Sequence, residues 1–247
     1  MKTLKFSLSN DKLKHIKEWS DIENPKVYSF SLLSGYSCPS AKDCHAYARV
    51  DKVTGKKTLQ DGKHAKFRCF SARDEARLPS VYNQRKHNFD ALLGIKDDYI
   101  DMAILIQESL PKNANFIRVH VGGDFFTKAY MQAWYLVAEK NPNIIFYAYT
   151  KSIKWMSELE YLRPDNFRIT ASYGGKEDAI IDELNLKSAK VVFHPTETNL
   201  PIDHNEYYAI NDEGNFSLLL HGTQKAGSEG SKAISKMIAE GINPNYS

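Results

Sequence analysis

The chain has 247 residues, 42% of them hydrophobic, and its 33 Lys and Arg against 30 Asp and Glu leave a net charge of +3. That is enough apolar material for one substantial core and excludes a disordered chain, so a single domain over residues 1–247 is expected. The near balance of charge gives no overall argument for nucleic acid or an anionic membrane.

Residues 1–10 mix Lys2 and Lys5 with single apolar residues. They have no continuous apolar run, so neither a signal peptide nor a membrane span is expected, and the protein should be cytoplasmic. Residues 27–33 read as a first strand. Residues 34–79 are rich in Lys, Asp, Gly and Ser, show no sustained period, and read as a long connection after it. Residues 91–110 should contribute one or two helices. From residue 116 onward a short β-branched or aromatic run alternates with a polar loop and a helical stretch. The strands are expected at 116–121, 144–150, 167–172, 190–194 and 216–221. The helices are expected at 127–140, with Thr127 as cap, and at 151–162, 176–186 and 228–240. Residues 207–210 and 216–220, around the turn 211–214, read as a β-hairpin.

All three cysteines, Cys38, Cys44 and Cys69, fall in the 34–79 connection, and none follows it. Ser37-Cys38-Pro39-Ser40 and Asp43-Cys44-His45 are polar settings rather than core ones. An odd set of thiols in a reducing compartment points to metal or redox chemistry before disulfides. Three readings stay open: a [4Fe-4S] cluster, a structural zinc completed by His45 or His64, and inert free thiols.

In β/α architectures functional groups collect at the C-terminal ends of the strands. Those ends lead here into Gly122-Gly123-Asp124, Thr150-Lys151-Ser152, Gly174-Gly175-Lys176, His194-Pro195 and His221-Gly222-Thr223-Gln224-Lys225. A first strand, a cysteine loop, a Gly-Gly-acidic strand end and six β/α repeats resemble the radical S-adenosylmethionine superfamily. That resemblance implies a partial TIM-type (β/α)6 barrel, with a [4Fe-4S] cluster on the three cysteines. It also implies S-adenosylmethionine contacting Gly122, Gly123 and Asp124. The spacing differs from that superfamily's Cys-x3-Cys-x2-Cys: five residues separate Cys38 from Cys44 and 24 separate Cys44 from Cys69. The third thiolate must therefore return from a distant part of the loop. Cys38-Pro39-Ser40-Ala41-Lys42-Asp43-Cys44-His45, Phe67-Arg68-Cys69-Phe70, Val119-His120-Val121-Gly122-Gly123-Asp124-Phe125 and His221-Gly222-Thr223-Gln224 are similar to a phage family, gene product 88. A phage-encoded chain would work in the host cytoplasm, on a small molecule or a host protein.

Asp124, His120 and Lys151 are the candidate catalytic residues. Strand alternation is expected to put His120 on the face of Gly122, and a hydrogen-bonded core histidine is the competing reading. Asp124 also suits a helix N-terminus. His221 and Lys225 join the candidate cofactor contacts because glycine-rich backbone ahead of a helix can cradle an anion. Lys151 and Lys176 would add positive charge to the same space. Arg73, Arg77, Arg85, Lys86 and His87 alternate with acidic residues and read as a solvated helix face rather than a nucleic-acid surface. The activity expected is cluster-dependent redox or radical-type chemistry, against a non-enzymatic binding module stabilised by cluster or zinc.

Overall fold

The computed structural model describes residues 3–8, 15–211 and 213–244. Among them are nine strands: β1 (Ser7–Leu8), β2 (Val27–Phe30), β3 (Ala46–Val50), β4 (Lys57–Asp61), β5 (Phe116–Val119), β6 (Ile145–Thr150), β7 (Phe167–Ser172), β8 (Ser188–Val192) and β9 (Phe216–Leu219). Seven form one sheet in the order β1-β2-β5-β6-β7-β8-β9, and β3 pairs with β4 separately. β1 is antiparallel to β2, and every later pairing in the large sheet is parallel. The six expected strands are all present, most of them shorter than their apolar runs, because hydrogen bonding stops before side-chain burial does.

Each parallel strand lies beside its predecessor. The connecting helices pack on one face of the sheet, as crossovers of one hand between neighbouring parallel strands require. Phe30, Ile117, Val119, Phe146, Ala148, Phe167, Ile169 and Ala171 project there and pack with Met102, Ile106, Trp134, Val137, Ile153 and Ile181 of the helices. Alternate residues Val27, Phe116, Tyr147, Ala189 and Phe216 face the other way, where Ile16, Ala209 and Ile210 cover the strand beginnings. The edges do not pair, so no closed barrel is formed among the described residues. The helix Lys128–Lys140 starts on Thr127, whose Oγ1 accepts the Tyr130 N–H at 3.1 Å. Ser228 accepts from Ser231 N and starts Glu229–Ala239 in the same way.

Three expectations are corrected. Residues 207–211 are a helix, Tyr207–Asn211, not a hairpin strand, because Ala209 and Ile210 turn together onto the sheet. The 34–79 connection has its own structure, the β3–β4 hairpin and the helix Phe70–Arg77. Their packing, with Ala48, Ala76, Tyr82 and Phe89 in contact around Leu33, spans segments too far apart in sequence to give a local period. Arg85 is not solvated: it is 8% exposed and paired to the fully buried Glu75.

Candidate metal centre

The loop carrying the cysteines is strapped across the C-terminal ends of the sheet. Cys38 follows a turn in which the Ser37 N–H and Oγ both donate to the Leu33 carbonyl, and the Gly35 N–H donates to Cys38 Sγ at 3.3 Å. Gly35 has φ +76°, and a Cβ there would meet the Ala46 carbonyl oxygen at 2.6 Å, so this turn requires glycine. Cys44 lies in the next turn. It is fixed by the β7 exit, where the Gly174 carbonyl accepts the Lys42 and Asp43 N–H groups and Ala41 bridges Gly175. Lys176 reaches back, donating from Nζ to the Pro39 carbonyl at 2.6 Å. Cys69 stands at the N-cap of Phe70–Arg77. The β9 exit holds it: Gln224 Oε1 accepts the Arg68 N–H at 2.7 Å, and His221 packs on Phe70 at 4.8 Å.

These straps bring the three thiols within electrostatic range of one another. Burial first, then the Asp124 carboxylate, then Cys69 and Cys44 hold the Cys38 thiol well above its ordinary pKa, while the Gly35 N–H opposes them. Cys69 is pushed up to about 11 by burial, then Cys44 and Glu75, against N–H groups of Ala72 and Ser71 that favour the thiolate. The Cys38 and Cys69 thiols are therefore protonated at neutral pH, so a metal binding them must displace those protons.

Asp124 is 6% exposed and held by three donors. Its Oδ1 accepts from Phe125 N and Thr150 Oγ1, each at 2.7 Å, and its Oδ2 accepts from Lys151 N at 2.8 Å. Burial raises its pKa to about 6 against these hydrogen bonds. It does not cap a helix, since Thr127 does. Gly122 and Gly123 sit under the cysteine loop. A Cβ on Gly122 would meet Ser71 Oγ at 2.2 Å, and one on Gly123, at φ +91°, would meet Ser37 Oγ at 2.6 Å.

The other expected residues divide. His120 lies away from Gly122 in the helix-side core, with Phe125 at 5.1 Å and Nε2 2.9 Å from Tyr130 Oη, and burial followed by Arg118 lowers its pKa to about 3. Lys151 is 8% exposed and donates from Nζ to Ser172 Oγ at 2.6 Å and the Tyr173 carbonyl at 2.8 Å, so its charge ties β6 to β7. His221 is beside the residue that follows Cys69. Lys225 is exposed in the following turn. Lys176 lines a cavity of about 340 Å³ with Cys38, Lys42, His45, Lys63 and His64; Lys151 does not.

Sequence reasoning missed the buried polar groups. Glu75 accepts from Ser34 N and Oγ, and from Arg85 Nη1 at 2.8 Å, beneath the Cys38 turn. On the face opposite the crossover helices, Glu206 accepts from Arg118 Nη1 at 2.6 Å and Tyr149 Oη at 2.9 Å. An Arg or Tyr inside a strand pattern was the available signal for that layer; Glu75 gave none.

Among the described residues no three or more His, Cys, Asp or Glu side chains stand ready around one ion. A four-iron cube sets each thiolate on its own iron, so its sulfurs need not crowd one point. Three soft donors, with N–H groups directed at two of them, fit such a group.

Fold and site define an α/β protein with a mostly parallel sheet and a three-cysteine loop fastened over its strand ends. No described helix is long and apolar enough to cross a membrane. The chain belongs to the family described as Gene product 88, which matches residues 3–238. It is similar to the Gene 88 protein of Mycobacterium phage L5, 25% identical over 166 residues that cover 59% of this chain and 69% of that protein. No solved structure matches it significantly.

Proposed function

We propose that this chain is an iron–sulfur protein in which Cys38, Cys44 and Cys69 hold a [4Fe-4S] cluster at the mouth of a partial TIM-type (β/α)6 barrel. Its activity is redox or radical-type chemistry on a small molecule or a host protein, in the host cytoplasm. The observation that carries this reading is that three thiols from distant parts of one loop lie within electrostatic range of one another, with the Asp124 carboxylate acting on Cys38. The consecutive order of six parallel strands supports the barrel geometry, as does the cover of Ile16, Ala209 and Ile210 over the strand beginnings.

A bound cluster supplies electrons, or an open iron acting as a Lewis acid. The protein's own groups set the surroundings. Gly122 and Gly123 let the cysteine loop close onto β5 without side-chain obstruction. Asp124 is held rigidly by Thr150 and Lys151, and Oδ2, which accepts from Lys151 N, keeps capacity to accept a further N–H from a cationic ligand such as the amino group of S-adenosylmethionine. Lys151 fixes the β6 and β7 ends that frame this carboxylate. His120, neutral in its buried place, positions the β5 exit through Tyr130.

Anaerobically reconstituted, reduced protein is the test. Binding and consumption of S-adenosylmethionine supports the radical form, and reversible reduction without consumption supports electron transfer. A second reading, a zinc-stabilised binding module for a host partner, is favoured by one observation: His45 and His64 line the same cavity as Cys38. It predicts colourless protein containing zinc even when iron is supplied.

A further inference from the structure

Charge along this chain is segregated around the cavity beside Cys38. Residues 41–68 hold eight Lys and Arg against three Asp, a net +5, whereas the rest of the chain holds 25 against 27 Asp and Glu, a net −2. Two of the three Asp are tied to cations, Asp43 to Lys66 at 2.8 Å and Asp61 to Arg68 at 2.9 Å. Asp51 is used in the β3–β4 turn, accepting from Val53 N and Thr54 N. The cavity walls carry Lys42, Lys63, Lys176, His45 and His64, and no acidic side chain. Neither Lys42 nor Lys63 has an ion-pair partner among the described residues.

An aromatic row leads out of this cavity. Alternation along β3 buries Ala46 and Ala48 and turns Tyr47 and Arg49 outward. His45 packs on Tyr47 at 6.1 Å, and Tyr47 packs edge-on against Tyr36 at 5.3 Å. Tyr36 is 48% exposed, yet its Oη is anchored on the Ala48 carbonyl at 3.3 Å, so the ring is presented to solvent in a fixed place. Cations in a concave site with no competing carboxylate select phosphate, and the exposed Tyr36 ring beside the half-buried Tyr47 offers a stacking surface for a base. A volume of about 340 Å³ is at the lower end for small-molecule sites.

We infer that the cavity beside Cys38 binds the phosphate of a nucleotide, with its base against Tyr36 and Tyr47. The nucleotide is either free or one unit of a single strand, and the ligand chemistry is the same in both. This deepens the reading of the mouth as the working site, but requires no metal. Iron and sulfide measured on the same samples therefore separate failure of one reading from failure of the other.

The test titrates the full chain, purified without oxygen, into a fluorescently labelled single-stranded 12-mer at low salt, followed by anisotropy, with adenosine monophosphate as competitor. The wild-type chain binds, and binding weakens as salt rises. The Lys42→Glu/Lys63→Glu double variant weakens binding about tenfold or more, and Tyr36→Ala weakens it about fivefold or more. The reversal Lys96→Glu/Lys232→Glu, with the same change in net charge, leaves affinity within about twofold. Displacement by the mononucleotide assigns the site to free nucleotides; binding of the strand without displacement assigns it to single strands. Absence of binding by both ligands overturns the inference, as does equal weakening by the two charge reversals.

Discussion

Gln224 grips the backbone of Arg68 from both sides, accepting its N–H at 2.7 Å through Oε1 and donating from Nε2 to its carbonyl at 3.3 Å. The last strand's exit thereby fixes the residue immediately before Cys69, across 156 positions of sequence. Gln224 is 7% exposed, so its removal leaves a sheltered backbone N–H without a partner. Gln224→Ala is predicted to cost about 1–3 kcal/mol in urea denaturation and to lower metal content more than Gln224→Glu, which keeps the acceptor.

Glu75 and Arg85 should behave as a buried unit. Glu75 is fully buried and serves Ser34 as well as Arg85. Glu75→Leu strands the guanidinium and releases the turn before Cys38, with an expected loss of about 3–5 kcal/mol. The Glu75→Leu/Arg85→Met double variant should recover part of that loss, which a double-mutant cycle by chemical denaturation would measure.

Gly123→Ala tests the closeness of loop and sheet. The residue has φ +91°, and its new Cβ would lie 2.6 Å from Ser37 Oγ and 2.8 Å from Leu32 Cβ. A loss of about 1–3 kcal/mol is expected from the backbone conformation, with reduced metal retention because Ser37 precedes Cys38. A variant with wild-type melting and metal content would show that the loop does not need this approach.

His120 supplies a pH dependence. Its folded pKa of about 3 lies below the ordinary 6.5, through burial first and Arg118 second. The unfolded chain therefore binds a proton that the folded chain refuses, and stability is full above about pH 6.5 and falls as the pH drops toward about 3. The slope from this group approaches about 1.4 kcal/mol per pH unit below 6. Urea denaturation across pH 4–7 should show that slope reduced by about this amount in His120→Phe, whatever the variant's overall stability.

The sheet was legible because its six parallel strands carry dense apolar runs separated by polar turns, and Thr127 announced the helix that follows it. The hairpin expected after Tyr207 failed since a five-residue helix and a strand look alike in so short an apolar run. The cysteines were legible as a group from their confinement to one polar stretch. What sequence could not give was the distant contact: Gln224 with Arg68, Glu75 with Arg85, and Gly174 with Lys42 all join segments whose pairing is decided by packing. His120 is the hydrogen-bonded core histidine of the competing reading; its expected place on the face of Gly122 failed because simple alternation was carried past the end of β5 at Val119.

Iron held jointly by Cys38, Cys44 and Cys69 is the proposal on which the rest depends. The most direct measurement is iron, sulfide and zinc content, with electron paramagnetic resonance of the reduced sample, on protein purified without oxygen and on its three single Cys→Ala variants. About four irons and four sulfides per wild-type chain are expected, with a cluster signal on reduction, and loss of both in every variant. Stoichiometric zinc with no sulfide, or full iron retained after removal of any one of the three thiols, would contradict it.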